Sequence, residues 1–297
     1  MSTSITTAFI TSYEAMVHEV FQRKGSYLLD AVRHKRDVVG STASFNRVGT
    51  GVATTKSRHG KITPMNQTHA APTCTLADFY AGDWVDKLDE AKTNIDERNV
   101  IASGGAMALG RKVDDQITTV LTTTTESTIT ITVTSKATVL GTTLQFVEAA
   151  WANDVPNDGD VFAVVTPRCW SQLMTLDQFM SADFVGVDGQ AMRKGPEIGM
   201  GRWKDWMGVK WKMQTGLPSA GTSSAEIYLW HKSAMAYASG KYAGNIADNQ
   251  AVSADITWHG DKAAFFINHS MSGQACLIDT TGVIQGTLDD TAAVVTS

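Results

Sequence analysis

"IDERNVIASGGAMALGRKVDDQITTVL", residues 95–121, is the stretch on which the fold turns. Leu109, Val113, Ile117 and Leu121 recur at four-residue steps and make one apolar stripe, the mark of an amphipathic helix. Asn94 or Asp96 can cap its start, and Glu97 sits in the first turn, where a carboxylate meets the positive end of the helix dipole. A helix from Asp96 to Leu121 is roughly 39 Å long, beyond the usual globular length. Gly104 and Gly105 notch its middle, at about 1 kcal/mol each relative to alanine. Close packing of a strand or of another chain against that face accounts for the pair; a local kink is the plainer alternative.

Toward the N-terminus, residues 4–23 predict a second helix, with Ile5, Phe9, Tyr13, Met16 and Val20 at helical steps and Ser4 as its cap. RHKRD (Arg33 to Asp37) closes this region in a charged cluster. From Val38 to Pro72, glycine, proline, threonine and serine displace the large apolar residues. Ser44–Val52 and Ile62–Thr68 are expected to pair as the arms of a hairpin around the tip GVATTKSRHGKITP (Gly51–Pro64). So long a segment without a core of its own points to function or to partners.

Toward the C-terminus, Ile129, Ile131 and Val133 alternate with Thr130, Thr132 and Thr134. That is a half-buried strand whose hydroxyl row suits a solvated or edge surface. VFAVVTP (Val161–Pro167) reads as a short buried strand, RCWSQLMTLDQFM after it as helical, and Gly186–Gly201 as loop-rich. MGVKWKMQTGLP (Met207–Pro218) predicts a strand with Lys210, Lys212 and Gln214 on a wet face. EIYLWHKSAMAYAS predicts a strand running into a small-residue helix, and Ala254–Leu288 strands and turns. No solenoid-type repeat is present.

At 297 residues, 43% hydrophobic and 19% charged, the chain can bury a core as one large domain or two ordinary ones. A formal charge of −5 disfavours tight nucleic-acid binding, which rests on phosphate neutralisation. Cys74, Cys169 and Cys276 are odd in number and form no CxxC, which disfavours a disulfide framework or zinc cluster and fits a reducing cytoplasm. No apolar run approaches the ~18 residues of a membrane span. MSTSITTAFITSYEAMVHEV lacks the basic leader of a signal peptide.

The motifs of catalysis fail one by one. Gly60-Lys61 is followed by Ile62, and Thr55 stands where a phosphate-binding loop needs glycine. DVPNDGD (Asp154–Asp160) places Pro156 and Val165 at calcium-ligand positions, so a turn explains it better. Gly199-x-Gly201 lacks the third glycine of a dinucleotide fingerprint. His259 and Asp261, with His269 nearby, share a strand face only if Gly260 does not break it. Trp203, Trp206 and Trp211 read as core or interface anchors. No catalytic, cofactor-binding or metal residue is assigned. What remains is an amphipathic arm, a long extended loop and a glycine-notched helix, none with a partner inside one copy.

That order of elements resembles the major capsid protein of tailed bacteriophages, the Hong-Kong-ninety-seven-type fold, over nearly the whole chain. "AMALGRKVDDQI" is similar to the Ala-Leu-x-Arg-x-x-Asp pattern of many coat proteins. VFAVVTPRCWSQL, MGVKWKMQTGLP and IYLWHKSAMAYAS resemble successive stretches of the A-domain, and GQACLIDTTGVIQGTL the closing P-domain strand. The resemblance implies an α+β fold with an N-terminal arm at 1–36 and an extended β-hairpin E-loop at 37–75. A P-domain follows at 76–145, with its spine helix at about 96–121 and completed by about 256–297, and a central A-domain at 146–255. It implies a structural protein that self-assembles into hexamers and pentamers of an icosahedral shell around double-stranded DNA, contacted weakly and non-specifically. Arg47, Lys56, Arg58, His59 and Lys61 would face acidic groups of a neighbouring subunit. The family's partners include scaffolding, portal and decoration proteins, and its place is the virion, assembled in the host cytoplasm, with no membrane. Some members cross-link a Lys to an Asn of the adjacent subunit; Lys56 and Lys61 lie in the right segment, but no matching Asn or assisting Glu is found. Rival readings are an encapsulin-like compartment shell, a carbohydrate- or receptor-binding β-rich protein, and, last, a metal hydrolase around Asp154, Asp158, His259 and Asp261.

Overall fold

The computed structural model describes residues 25–88, 97–124, 128–180, 203–241 and 252–295. The chain forms two compact units. Unit 1 comprises Met1–Ser26, Asp78–Lys112 and Tyr242–Ser272, and unit 2 comprises Tyr27–Ala77, Val113–Lys241 and Gly273–Ser297. The helix expected over 4–23, the loop-rich stretch 186–201 and the cap candidates Asn94 and Asp96 lie outside the described residues.

Strands β1 (Arg33–Val38), β2 (Thr42–Ser44), β3 (Arg47–Val48), β4 (His69–Ala70), β5 (Thr73–Thr75) and β6 (Ala77–Asp86) precede the long helix α1 (Glu97–Leu121). Strand β7 (Thr128–Ile131), helix α2 (Lys136–Ala152), strand β8 (Val161–Val165) and the short helices α3 (Pro167–Leu173) and α4 (Asp177–Met180) follow. Strands then dominate: β9 (Lys204–Trp206), β10 (Val209–Met213), β11 (Ala225–His231), β12 (Met235–Gly240), β13 (Val252–His259), β14 (Ala264–Leu277) and β15 (Val283–Leu288).

The core of unit 2 is a six-stranded mixed sheet in the order β7-β15-β11-β8-β10-β9. Strand β8 lies between β11 and β10, and all five of its residues are buried, as the continuous apolar run VFAVV requires. Phe146, Val147 and Ala150 of α2 pack with Trp211, Ile227, Leu229 and Ile284 in one apolar cluster. A side chain such as Phe146 or Leu229 contributes about 2 kcal/mol by its burial. Trp206 and Trp211 lie in the same cluster, their rings 5.8 Å apart, as core anchors. At the sheet's edge, β7 buries Ile131 and exposes Thr128 and Thr130, in keeping with the alternation.

Two local expectations are overturned in this unit. Lys212 and Gln214 of the supposed wet face are 3% and 1% exposed. β10 is an interior strand between β8 and β9, and both of its faces are covered. The small-residue run after His231 is strand β12, fully buried between a parallel β1 and an antiparallel β14. Alanine's helix propensity, under 1 kcal/mol per residue, loses there to packing in the sheet interior. Helix α2, not anticipated from the sequence, starts five residues after β7. Ser135 Oγ accepts from the Thr138 N–H at 3.2 Å and the Ser135 N–H donates to Thr138 Oγ1 at 2.9 Å, a capping box worth about 1 kcal/mol. Thr142 and Thr143 then donate to carbonyls one turn earlier, at 2.7 Å each.

In unit 1, β13 and β14 pair antiparallel from Val252↔Met271 to His259↔Ala264. Helix α1 runs unbroken through both glycines of its notch. A Cβ on Gly105 would come within 2.7 Å of His269 Nδ1, so a strand residue does pack against that position; a Cβ on Gly104 would meet nothing within 4 Å among the described residues. Gly110 approaches even closer to backbone, since a Cβ there would stand 2.6 Å from the Cα of Gly25. The predicted stripe Leu109, Val113, Ile117 and Leu121 is buried throughout.

Candidate self-assembly surface

Within unit 2 the segment after β1 forms two short two-stranded ladders with a firm root. Thr42, Ala43 and Ser44 pair with Thr75, Cys74 and Thr73, and Arg47 and Val48 pair with Ala70 and His69. The Phe45 N–H donates to the Pro72 carbonyl at 2.9 Å and the Gly49 N–H to the Thr68 carbonyl at 2.8 Å. Ala43, Phe45 and Cys74 are buried with Val38, Ala236, Ala238 and Ile278, which anchors the root. The pairing therefore joins 42–49 to 68–75 and not Ser44–Val52 to Ile62–Thr68. The small buried residues Ala43 and Cys74 set the register from the root, where there is a core to hold them.

Beyond Gly49 and Thr68 the two arms form no ladder. Residues 50–59 and 61–68 are exposed, and the tip closes in a turn with the Gly60 N–H donating to the Ser57 carbonyl at 3.0 Å. Val52 and Ile62 are each 77% exposed. Of the five cations singled out by sequence, Lys56, Arg58, His59 and Lys61 are exposed on this tip. Arg47 is placed differently: its guanidinium pairs with Asp279 of the same chain at 3.0 Å, at the root. From Val38 to Ala77 the chain carries four Lys and Arg and no Asp or Glu. Taking those four cations from the formal −5 leaves −9 on the rest of the chain. A basic, partly apolar exposed segment thus belongs to a chain that is acidic in net charge.

The other sequence candidates are not brought together as sites. Asp154 and Asp158 lie in the turn before β8, where the Asp160 N–H donates to Asp158 Oδ1 at 3.0 Å. Asp158 faces His231 Nε2 at 3.1 Å, while His259 and Asp261 belong to the other unit. His259 ends β13 beside Trp84, and His269, five register positions away along the ladder, is buried against α1. Among the described residues no group of three His, Cys, Asp or Glu side chains could hold a metal ion. Nor is any described helix long and apolar enough to cross a membrane.

A second anchor escaped the sequence reading. Asp114, 1% exposed on α1, accepts the Tyr27 N–H at 3.0 Å and the Leu28 N–H at 3.1 Å. Lys212 Nζ donates to the Tyr27 carbonyl at 2.7 Å and stands over the Tyr27 and Trp203 rings. Burial pulls the Lys212 ammonium down to about 8, opposed by the charges of Asp114 and Asp30. The chain is thus clamped where it enters unit 2. The signal available was the Asp of AMALGRKVDDQI; nothing in the sequence linked it to Lys212.

With this geometry in view, comparison with known proteins is decisive. A family described as phage capsid protein matches residues 5–290. The chain belongs to that family. Solved structures agree on the fold at low identity. The capsid of cyanophage P-SCSP1u is 14% identical with a TM-score of 0.74, covering 97% of this chain and 95% of that one. Mycobacterium phage Che8 is 16% identical at 0.69, covering 96% and 98%, and the bacteriophage PhiM1 mature capsid 13% at 0.69, covering 94% and 92%. No curated protein sequence matches. A phage capsid protein is a structural component and not an enzyme, so the hydrolase and glycan-binding readings fall, and an encapsulin-like shell is not favoured. The mixed helix-and-sheet fold anticipated from the order of elements along the chain is the capsid fold.

Proposed function

We propose that this phage capsid protein assembles into hexamers and pentamers of an icosahedral shell around double-stranded DNA. The acid-free finger at 50–67, exposed beyond a locked root, carries the reading. In it, Lys56, Arg58, His59 and Lys61 meet acidic groups of the adjacent copy, and Val52 and Ile62 lose water in the same contact. Residues 1–36 serve as the arm, 37–75 as the E-loop, 76–145 with 256–297 as the P-domain around the α1 spine, and 146–255 as the A-domain. Assembly takes place in the host cytoplasm, where scaffolding, portal and decoration proteins are the natural partners. The acidic balance suits a lumen that must release its DNA.

The test is the triple variant Lys56→Glu, Arg58→Glu, Lys61→Glu. These side chains are exposed, so the subunit keeps its circular dichroism and melting temperature while particle yield by electron microscopy falls at least about tenfold, the loss of roughly 1.4 kcal/mol per contact. Wild-type yields of intact shells would refute the role given to the finger.

A further inference from the structure

Strand β1, Arg33-His34-Lys35-Arg36-Asp37-Val38, pairs with β12 alone among the described strands and is therefore an edge strand. Arg33, Lys35, Arg36 and Asp37 are exposed on it. The cations are seated. Arg33 Cζ and Lys35 Nζ lie 5.9 and 5.5 Å from the centroid of the Phe45 ring, and Phe45 is itself buried in the root of the finger. Lys35 Nζ also donates to the Ser44 carbonyl at 3.3 Å, and Arg36 Nε donates to His34 Nδ1 at 3.3 Å. Neither Arg33 nor Lys35 belongs to an ion pair among the described residues. Asp37, the one acid of the strand, sits at a bulge, with a φ of 55° and a register slip between Lys35 and Val38.

We propose that Arg33, Lys35 and Arg36 form a contact strip for the phosphodiester backbone of double-stranded DNA. Alternate residues of a strand stand about 6.7 Å apart, comparable to the step between successive phosphates of one nucleic-acid strand. Arg33 and Lys35 therefore match two consecutive phosphates, and Arg36, one residue on, adds a third cation along the same edge. An arginine fork grips a phosphate through two parallel N–H bonds, and a lysine acts as a point charge. The acidic surface of a second copy offers no such regular spacing. Charge on an edge strand also discourages pairing with another edge, but that purpose needs no aromatic seat for the cations. In a chain of formal charge −5 so small a strip gives a weak, sequence-blind contact. The proposal deepens the shell reading, on which only the source of the phosphates rests.

The probe is a short fluorescein-labelled duplex of random sequence, titrated with the full-length unassembled subunit and followed by fluorescence anisotropy. Three phosphate contacts give a slope of log affinity on log salt of about −2.7, so binding weakens about fortyfold between about 50 and about 200 mM salt. Arg33→Gln with Lys35→Gln should cut that slope to about −0.9 and lower the affinity at least about tenfold, with circular dichroism and melting temperature kept. Exchanging the cations, Arg33→Lys with Lys35→Arg, should retain both slope and affinity. Asp37→Asn, which tolerates the left-handed backbone, should tighten binding. Lys136→Gln with Lys232→Gln removes the same charge elsewhere in unit 2 and should leave the slope unchanged. Wild-type slope and affinity in the Arg33→Gln, Lys35→Gln variant would overturn the proposal, as would an equal loss in the Lys136→Gln, Lys232→Gln control. A strip variant that binds duplex normally but no longer associates with itself in sedimentation would assign the strip to a second copy and also overturn it. The readout is on the subunit, so a chain that binds duplex in this way yet makes no shells upholds the proposal and overturns only the shell reading.

Discussion

Lys212 shows what a single residue conceals. Strand alternation assigns it to the face opposite Trp211, but period two cannot say whether that face meets water or more protein. Here it meets Tyr27, Trp203 and the region of Asp114. Its folded value of about 8 lies below the unfolded 10.5. Between the two, the unfolded chain holds a proton that the folded chain has released, so the unfolding free energy rises with pH. Tyr228 and Tyr237, both pushed up by burial, act in the opposite sense above about 10. Cys169 and Cys276, whose thiols are also pushed up, act in that same opposite sense above their ordinary 9.0, so stability rises with Lys212 over the window of about pH 8 to 9. Denaturant unfolding of the unassembled subunit should show stability rising across it, and Lys212→Met should flatten that slope. Asp114→Ala leaves the Tyr27 and Leu28 N–H groups without their acceptor and should cost about 3 kcal/mol in the same measurement.

Helix α1 was legible because its stripe, its first-turn Glu97 and its length all agreed; the structure gives Glu97–Leu121. Its three central glycines carry different loads. Gly104→Ala meets nothing among the described residues and should stabilise the subunit by up to about 1 kcal/mol. Gly110→Ala drives a methyl into the backbone of Gly25 and should destabilise it, a contrast that thermal melts of the two variants resolve. Strand β8 was legible for a similar reason, as an apolar run bounded by Pro167. Strand β12 was not: Ala236 and Ala238 read as helix, and only the pairing partners β1 and β14, distant in sequence, override that preference. Helix α2 was masked by Thr138, Thr142 and Thr143, whose helical cost is offset by Phe146 and Val147 in the core. The finger was recognisable as an element from its composition. Its register was not, because Ala43 and Cys74, the residues that fix it, are too small to stand out.

Across the molecule, charge is divided between a cationic finger and an acidic remainder, and neither half explains itself in a single copy. Contacts built on exposed charge are screened over about 3 Å at 1 M salt against about 8 Å at physiological strength. Raising salt to 1 M should therefore slow assembly from purified subunits, followed by light scattering, while leaving the subunit's melting temperature nearly unchanged. The most direct measurement is sedimentation, with electron microscopy, of the wild-type chain beside a deletion of residues 51–63. The wild type should sediment as closed, megadalton shells and the deletion as folded, subunit-sized material. Closed shells from the deletion, or a wild type that persists as a lone subunit with its finger protected from proteolysis, would contradict the account.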